Sequence, residues 1–220
     1  MKKTNEKIKN GITELVFILD RSGSMGGLES DTIGGFNSLL EKQKKQDGSA
    51  FVTTVLFDNE LETLHDRVPL EEVKLLTNED YYVRGCTALY DAVGKTIEHI
   101  DNVHKYIRRE DVPENVLFVM ITDGLENASR AYDVSRVKRL ISAKEELKWE
   151  FLFIGANIDS AETAGSIGIK RENAVDYHAD SQGTEVVFKA VSRAVGKARC
   201  SVPLDACWCA EIAEDYNNRK

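Results

Sequence analysis

The chain has 220 residues, of which 42% are hydrophobic, and this suits one compact domain with a sizeable core. A formal net charge of -8 argues against the basic footprint of a nucleic-acid binder and bears on solubility rather than on fold. No run reaches the ~20 apolar residues of a membrane helix. The Lys-rich start, residues 1–10, leads into no apolar stretch, so no secretory signal is expected. The expectation is a cytoplasmic protein, off the membrane and monomeric on its own. Its four cysteines, Cys86, Cys200, Cys207 and Cys209, are then free thiols by default.

In chain order, residues 1–13 read as a polar extension. The apolar run 15–19, Leu-Val-Phe-Ile-Leu, suits a strand buried on both faces, and it stops abruptly at Asp20. Residues 31–45 predict a helix with Ile33, Phe36, Leu39 and Leu40 on one face. Gly34 and Gly35 cost that helix stability, which points to close packing against a neighbour. A second strand is expected over 50–57 and a turn at Asp58-Asn59. The mixed polarity of 60–68 suits an antiparallel edge strand. Pro69 near a first turn predicts a short helix over 69–76.

Residues 81–86 form a loop carrying Tyr81 and Tyr82, side chains read as packing, toward Thr87. The longest helix is expected over 88–107, striped by Leu89, Val93, Ile97, Ile100 and Ile107. A strand over 115–122 then runs into Asp123. A helix over 133–147, a strand over 151–156, a short helix over 159–166, a strand over 174–178 and a helix over 183–199 follow. Strands alternating with helices imply a doubly wound, Rossmann-like α/β sheet with right-handed crossovers. Residues 200–220 read as a tail whose amphipathic part, 203–216, packs back on the domain. Its cysteines lack the paired Cys-x-x-Cys spacing of a structural zinc site.

Three short motifs carry chemistry. Asp20-Arg-Ser22-Gly-Ser24-Met ends the first strand, with Gly23, Gly26 and Gly27 loosening the loop. Taken alone, these side chains read as helix caps and turns as readily as cation ligands. Gly85-Cys86-Thr87-Ala88-Leu89 adds a threonine at a loop-to-helix junction, and Ile121-Thr122-Asp123-Gly124 adds a carboxylate ending a second buried run. Carboxylates and hydroxyls are hard oxygen donors, suited to Mg²⁺ rather than to zinc or copper.

Asp-x-Ser-x-Ser, then Thr, then Asp resembles the von Willebrand factor type A (vWA) domain and its metal-ion-dependent adhesion site. The resemblance spans residues 14–199 and implies a mostly parallel six-stranded sheet of order 3-2-1-4-5-6, with strand 3 antiparallel at the edge and helices on both faces. It implies Asp20, Ser22, Ser24, Thr87 and Asp123 as the metal-site residues, with Asp123 often acting through water. Mg²⁺ is the expected ion, with Mn²⁺ and Ca²⁺ as alternatives. The implied function is a protein-binding module whose partner offers an Asp or Glu to the metal. Arg21, Met25, Cys86 and Leu125, beside the motif residues, are expected to border that partner. Cys86 departs from the small residue many relatives carry there.

The competing reading is a Mg²⁺-dependent phosphate hydrolase using Asp20 as nucleophile. Such enzymes want a second carboxylate two residues on, where this chain has Ser22. No phosphate-cradling Gly-rich loop follows the first strand. His65, His99, His104 and His178 lie far from the motif and read as structural or surface residues. A non-enzymatic module is therefore expected.

Overall fold

The computed structural model describes residues 11–219. The proposed polar extension therefore falls mostly outside the described residues. The sheet comprises β1 (Thr13–Asp20), β2 (Ala50–Phe57), β3 (Leu61–Pro69), β4 (Asn115–Asp123), β5 (Trp149–Ala156) and β6 (Ala174–Asp176). Their order is β3-β2-β1-β4-β5-β6, with β3 antiparallel to β2 and the other pairings parallel. This is the doubly wound α/β sheet that the alternation of elements predicts.

β1 is buried along its whole length, which is why its apolar run does not alternate with polar residues. Leu15, Phe17 and Leu19 join the core layer under α1 (Glu29–Gln43) and α5 (Ser181–Arg199). Val16 and Ile18 face the layer under α2 (Leu89–Tyr106), α3 (Val134–Glu145) and α4 (Ser160–Ser166). The close packing expected of the α1 glycines is real at Gly35, where a Cβ would sit 2.3 Å from Phe188 on α5. At Gly34 the neighbouring space is open.

One expected element is different. Residues 69–76 are not a helix: a single 3₁₀ turn, Leu70–Glu72, gives way to extended chain. Leu70, Val73 and Leu76 are spaced by three and all buried, a spacing that mimics a helical stripe. Side chains of α1 and of Lys44, the residue just after it, satisfy the extended backbone instead. Asn37 accepts from the Leu76 amide at 2.8 Å and donates to the Leu76 carbonyl at 2.9 Å, while Lys44 donates to the Val73 carbonyl. The last strand is also shorter than expected, three residues instead of five.

Beyond α5 the chain makes a 3₁₀ turn at Ala206–Cys209 and then α6 (Ala210–Asn218). Trp208 and Ile212 enter the core layer shared with α5, and the Trp208 indole donates to the Glu172 carbonyl at 2.9 Å. All four cysteines are free. Among the described residues no helix is long and apolar enough to cross a membrane.

Candidate metal centre

The strand order reverses between β1 and β4, and ligands of open α/β sheets bind beyond the carboxyl ends of strands at such a point. Asp20 ends β1 and Asp123 ends β4, so the parallel register delivers both carboxylates to the same rim. Asp20 is 1% exposed and Asp123 2%. One Asp20 oxygen, Oδ1, accepts from the Ser22 amide at 2.7 Å. The other, Oδ2, accepts from the Thr122 hydroxyl at 2.6 Å and the Asp123 amide at 3.3 Å. Below, the buried Tyr81 hydroxyl donates to the Asp20 carbonyl at 2.5 Å, so this tyrosine fixes the end of β1.

The hydroxyls gather over these carboxylates. Ser22 and Ser24 Oγ lie 3.0 Å apart, and the Ser24 hydroxyl donates to the Asp123 carbonyl. Gly124 adopts φ +136°, and a Cβ there would stand 3.5 Å from Ser24 Oγ and 4.0 Å from Thr87 Oγ1. Three loops thus bring Asp20, Ser22, Ser24, Thr87 and Asp123 to one place.

Backbone bonds hold those loops in register. Gly23 donates to the Gly85 carbonyl at 3.2 Å, Arg84 to the Arg21 carbonyl at 2.8 Å, and Ala88 to the Asp58 carbonyl at 2.8 Å. Gly85, at φ +68°, lies so close to the β2–β3 turn that a Cβ would meet Asn59 Oδ1 at 2.0 Å. On the far side the Thr87 amide donates to Asn127 Oδ1 at 2.9 Å, and the Thr87 carbonyl accepts from Asn127 and Ala128. Helix α2 has no side-chain cap of its own at Ala88. Glu126 supplies one from across the chain, accepting from the Tyr90 amide at 2.9 Å and from Ala128 and Ser129.

The electrostatics suit a cation. Burial raises the Asp20 carboxyl above its ordinary value, against the pull of bonds from Thr122, Ser22 and Asp123. Burial likewise raises Asp123, and only the Asn157 amide opposes it. Neither rim carboxylate has an ion pair with a cationic side chain among the described residues. The donor set is entirely oxygen, two carboxylates and three hydroxyls, which fits a hard divalent ion. Clusters of three or more His, Cys, Asp or Glu side chains that could hold a metal do not occur among the described residues.

The residues expected to border a partner divide. Cys86 is exposed and Leu125 is 63% exposed. Arg21 and Met25 are buried instead, so neither is placed to touch a partner. The Arg21 guanidinium turns away from the rim to Asp58, 3.0 Å away, and Glu62, 2.6 Å away. Met25 closes the 3₁₀ turn Gly23–Met25 with its side chain in the interior. All four histidines have partners away from the site: Thr54, Asp66, Glu14 and the Tyr216 carbonyl.

One residue at the rim lay beyond the sequence motifs. Asn157 follows the last residue of β5 in the left-handed region, φ +56°, and its amide donates to Asp123 Oδ1 at 2.5 Å. The only local signal is a polar residue directly after a buried run ending in Gly155-Ala156.

No protein-family model and no curated protein matches the sequence. Among solved structures, its neighbours are vWA proteins of low sequence identity. The ArnB paralogue VWA2 from Sulfolobus acidocaldarius is 21% identical, with a TM-score of 0.51, over 83% of this chain and 44% of that one. A von Willebrand factor type A protein from Catenulispora acidiphila is 14% identical, with a TM-score of 0.53, over 83% and 42%. Proximal thread matrix protein 1 from the mussel byssus, solved with zinc occupying its adhesion-site motif, is 14% identical at a TM-score of 0.53, over 84% and 46%. The chain spans less than half the length of each of these structures. At such identities the likeness establishes the fold.

Proposed function

We propose that this protein is a metal-dependent protein-binding module that captures an acidic side chain of a partner through a divalent ion, Mg²⁺ in the first instance. The observation that carries the reading is a pair of buried carboxylates, Asp20 and Asp123, converging with three hydroxyls and ion-paired with no cationic side chain among the described residues. When bound, the ion would supply an open coordination position for a carboxylate. Ser22, Ser24 and Thr87 would hold it through neutral oxygens, so its positive charge is only partly offset. Asp20, committed to three hydrogen bonds, orients Ser22 and the start of the Asp123 loop. Asp123 supplies the second negative charge. The neighbour with a zinc-occupied motif supports a divalent ion at this rim.

The same reading makes the protein a monomeric, cytoplasmic, non-enzymatic adaptor. Position 22 offers a hydroxyl where a hydrolase would want an acid or base, so no phosphate turnover is proposed.

Calorimetric titration with Mg²⁺ and Mn²⁺, on the wild type and the Thr87→Ala, Asp123→Ala double variant, tests the metal. Recovery of a partner in Mg²⁺ but not in EDTA, lost when one partner Asp or Glu becomes the amide, tests the mode. Binding insensitive to chelation and to every such change would overturn it. Mg²⁺-dependent hydrolysis of a phosphate ester, abolished in the double variant, would favour an enzyme.

A further inference from the structure

We infer that Asn157 is a positioning residue for the metal centre, setting how Asp123 meets the ion. This rests on the proposed metal-binding role of the rim. Asn157 lies 34 positions from Asp123 in sequence, on the loop after the neighbouring strand, yet its amide nitrogen is 2.5 Å from Asp123 Oδ1. Asp123 pairs with Ala156, the last residue of β5, so the residue that follows β5 lies beside that carboxylate. With Oδ1 held by the amide, rotation of the carboxylate is restrained and its other oxygen stays available to an ion.

The backbone at Asn157 is in the left-handed region, φ +56°, a conformation that costs most side chains and that Asn tolerates. Its side chain is exposed as a whole, so packing does not account for it. Asp20 and Asp123 are the two charges of the site, and each is oriented differently. Three bonds from β1's own loop and β4 fix Asp20. Side-chain bonding to Asp123 comes from Asn157. Outer hydrogen bonds of this kind orient a ligand before the ion arrives, and their loss typically weakens metal affinity ~10–100-fold.

The test is Mn²⁺ titration by calorimetry on the intact chain, with thermal melting in EDTA as the stability control. Asn157→Gly keeps the left-handed backbone without strain and deletes the amide. It should bind Mn²⁺ about tenfold or more weakly while melting in EDTA within a few degrees of the wild type. Asn157→Asp replaces the donor by a third carboxylate against Asp123. It should melt lower in EDTA yet show a larger Mn²⁺-induced rise than the wild type, because the ion relieves the added repulsion. A purely structural role would lower stability in both variants and leave the metal response unchanged. Wild-type Mn²⁺ affinity in Asn157→Gly would overturn the inference while leaving the metal site standing. Absence of Mn²⁺ binding by the wild type would overturn both.

Discussion

Arg21 follows Asp20 in the chain, but its guanidinium is bound to Asp58, 3.0 Å away and 37 positions on. The pair is buried on both sides, with side-chain exposures of 0% and 1%. Arg84 donates to the same Asp58 oxygen at 2.7 Å, so one carboxylate joins the β1 loop to the loop that carries Thr87. Burial works against the Asp58 charge, but Arg84, the Glu60 amide and Arg21 outweigh it and hold the carboxyl below its ordinary value.

Removing one side of a buried pair costs roughly 3–5 kcal/mol when it strands the other. Arg21→Ala leaves Asp58 with Arg84 and the Glu60 amide, so its loss in urea denaturation should fall below that range. Arg84→Ala, at 40% exposed, should cost much less. Equal losses from the two would show that the buried pair is not the main tie between these loops.

Asp20→Asn should abolish the thermal response to metal. An ion that binds only the folded chain, at a hundred times its dissociation constant, adds ~2.7 kcal/mol. In a domain of this size that is a rise of about 5–10 °C. The wild type should show it in Mg²⁺ or Mn²⁺, and the variant little or none. An undiminished shift in the variant would remove Asp20 from the site.

The pH dependence follows from two raised carboxyls. In the metal-free fold Asp20 and Asp123 bind protons more tightly than in the unfolded chain, where the ordinary value is 3.8. Their contribution to stability is full below that value and lost as pH rises through the raised folded values. In EDTA, the wild type should gain on Asp20→Asn as pH falls from neutral toward 3.8. In Mg²⁺ the metal-induced rise should shrink over the same range, since protons compete for the ligands. Melting curves of both proteins across that range, with and without the ion, measure it. A difference between them that is flat in pH would contradict the assignment.

Glu126→Ala should loosen the Thr87 junction. The variant leaves the Tyr90, Ala128 and Ser129 amides without their acceptor, and losing a cap costs about 1–2 kcal/mol. Because Thr87 is bonded into the same loop, Mn²⁺ affinity should fall with stability. Hydrogen exchange at Tyr90 locates the effect: protection there should drop, while protection in β4 stays. Unchanged exchange at Tyr90 would count against a cap from across the chain.

Much of the sheet was legible because burial on both faces leaves an unbroken apolar run, as in 15–19 and 116–121, and a charge ends each run at a strand terminus. Asp20 and Asp123 were legible for the same reason, since a strand terminus fixes where its last side chain goes. Ser22, Ser24 and Thr87 sit on loops and were picked out by the motif's resemblance alone. Arg21 was not, because nothing local distinguishes an arginine aimed at solvent from one aimed at Asp58. Residues 69–76 were misread because a spacing of three among buried leucines and valine looks helical, while the acceptor and donor that hold them extended sit on Asn37. Asn157 escaped because its meaning lies in the alignment of β5 with β4, which no stretch of either strand encodes.

The sequence holds two tryptophans, and the sheet separates them. Trp149 belongs to the layer under α2 and α3, stacked on Phe118 with ring centres 5.5 Å apart, while Trp208 belongs to the layer under α5. Each indole is thus an optical reporter for one side of the molecule. Single-tryptophan versions, Trp149→Phe and Trp208→Phe, would give two fluorescence transitions from one protein. Coincident midpoints mean that the tail holding Trp208 unfolds with the sheet as a single cooperative unit, and an earlier Trp208 transition means that it peels away first.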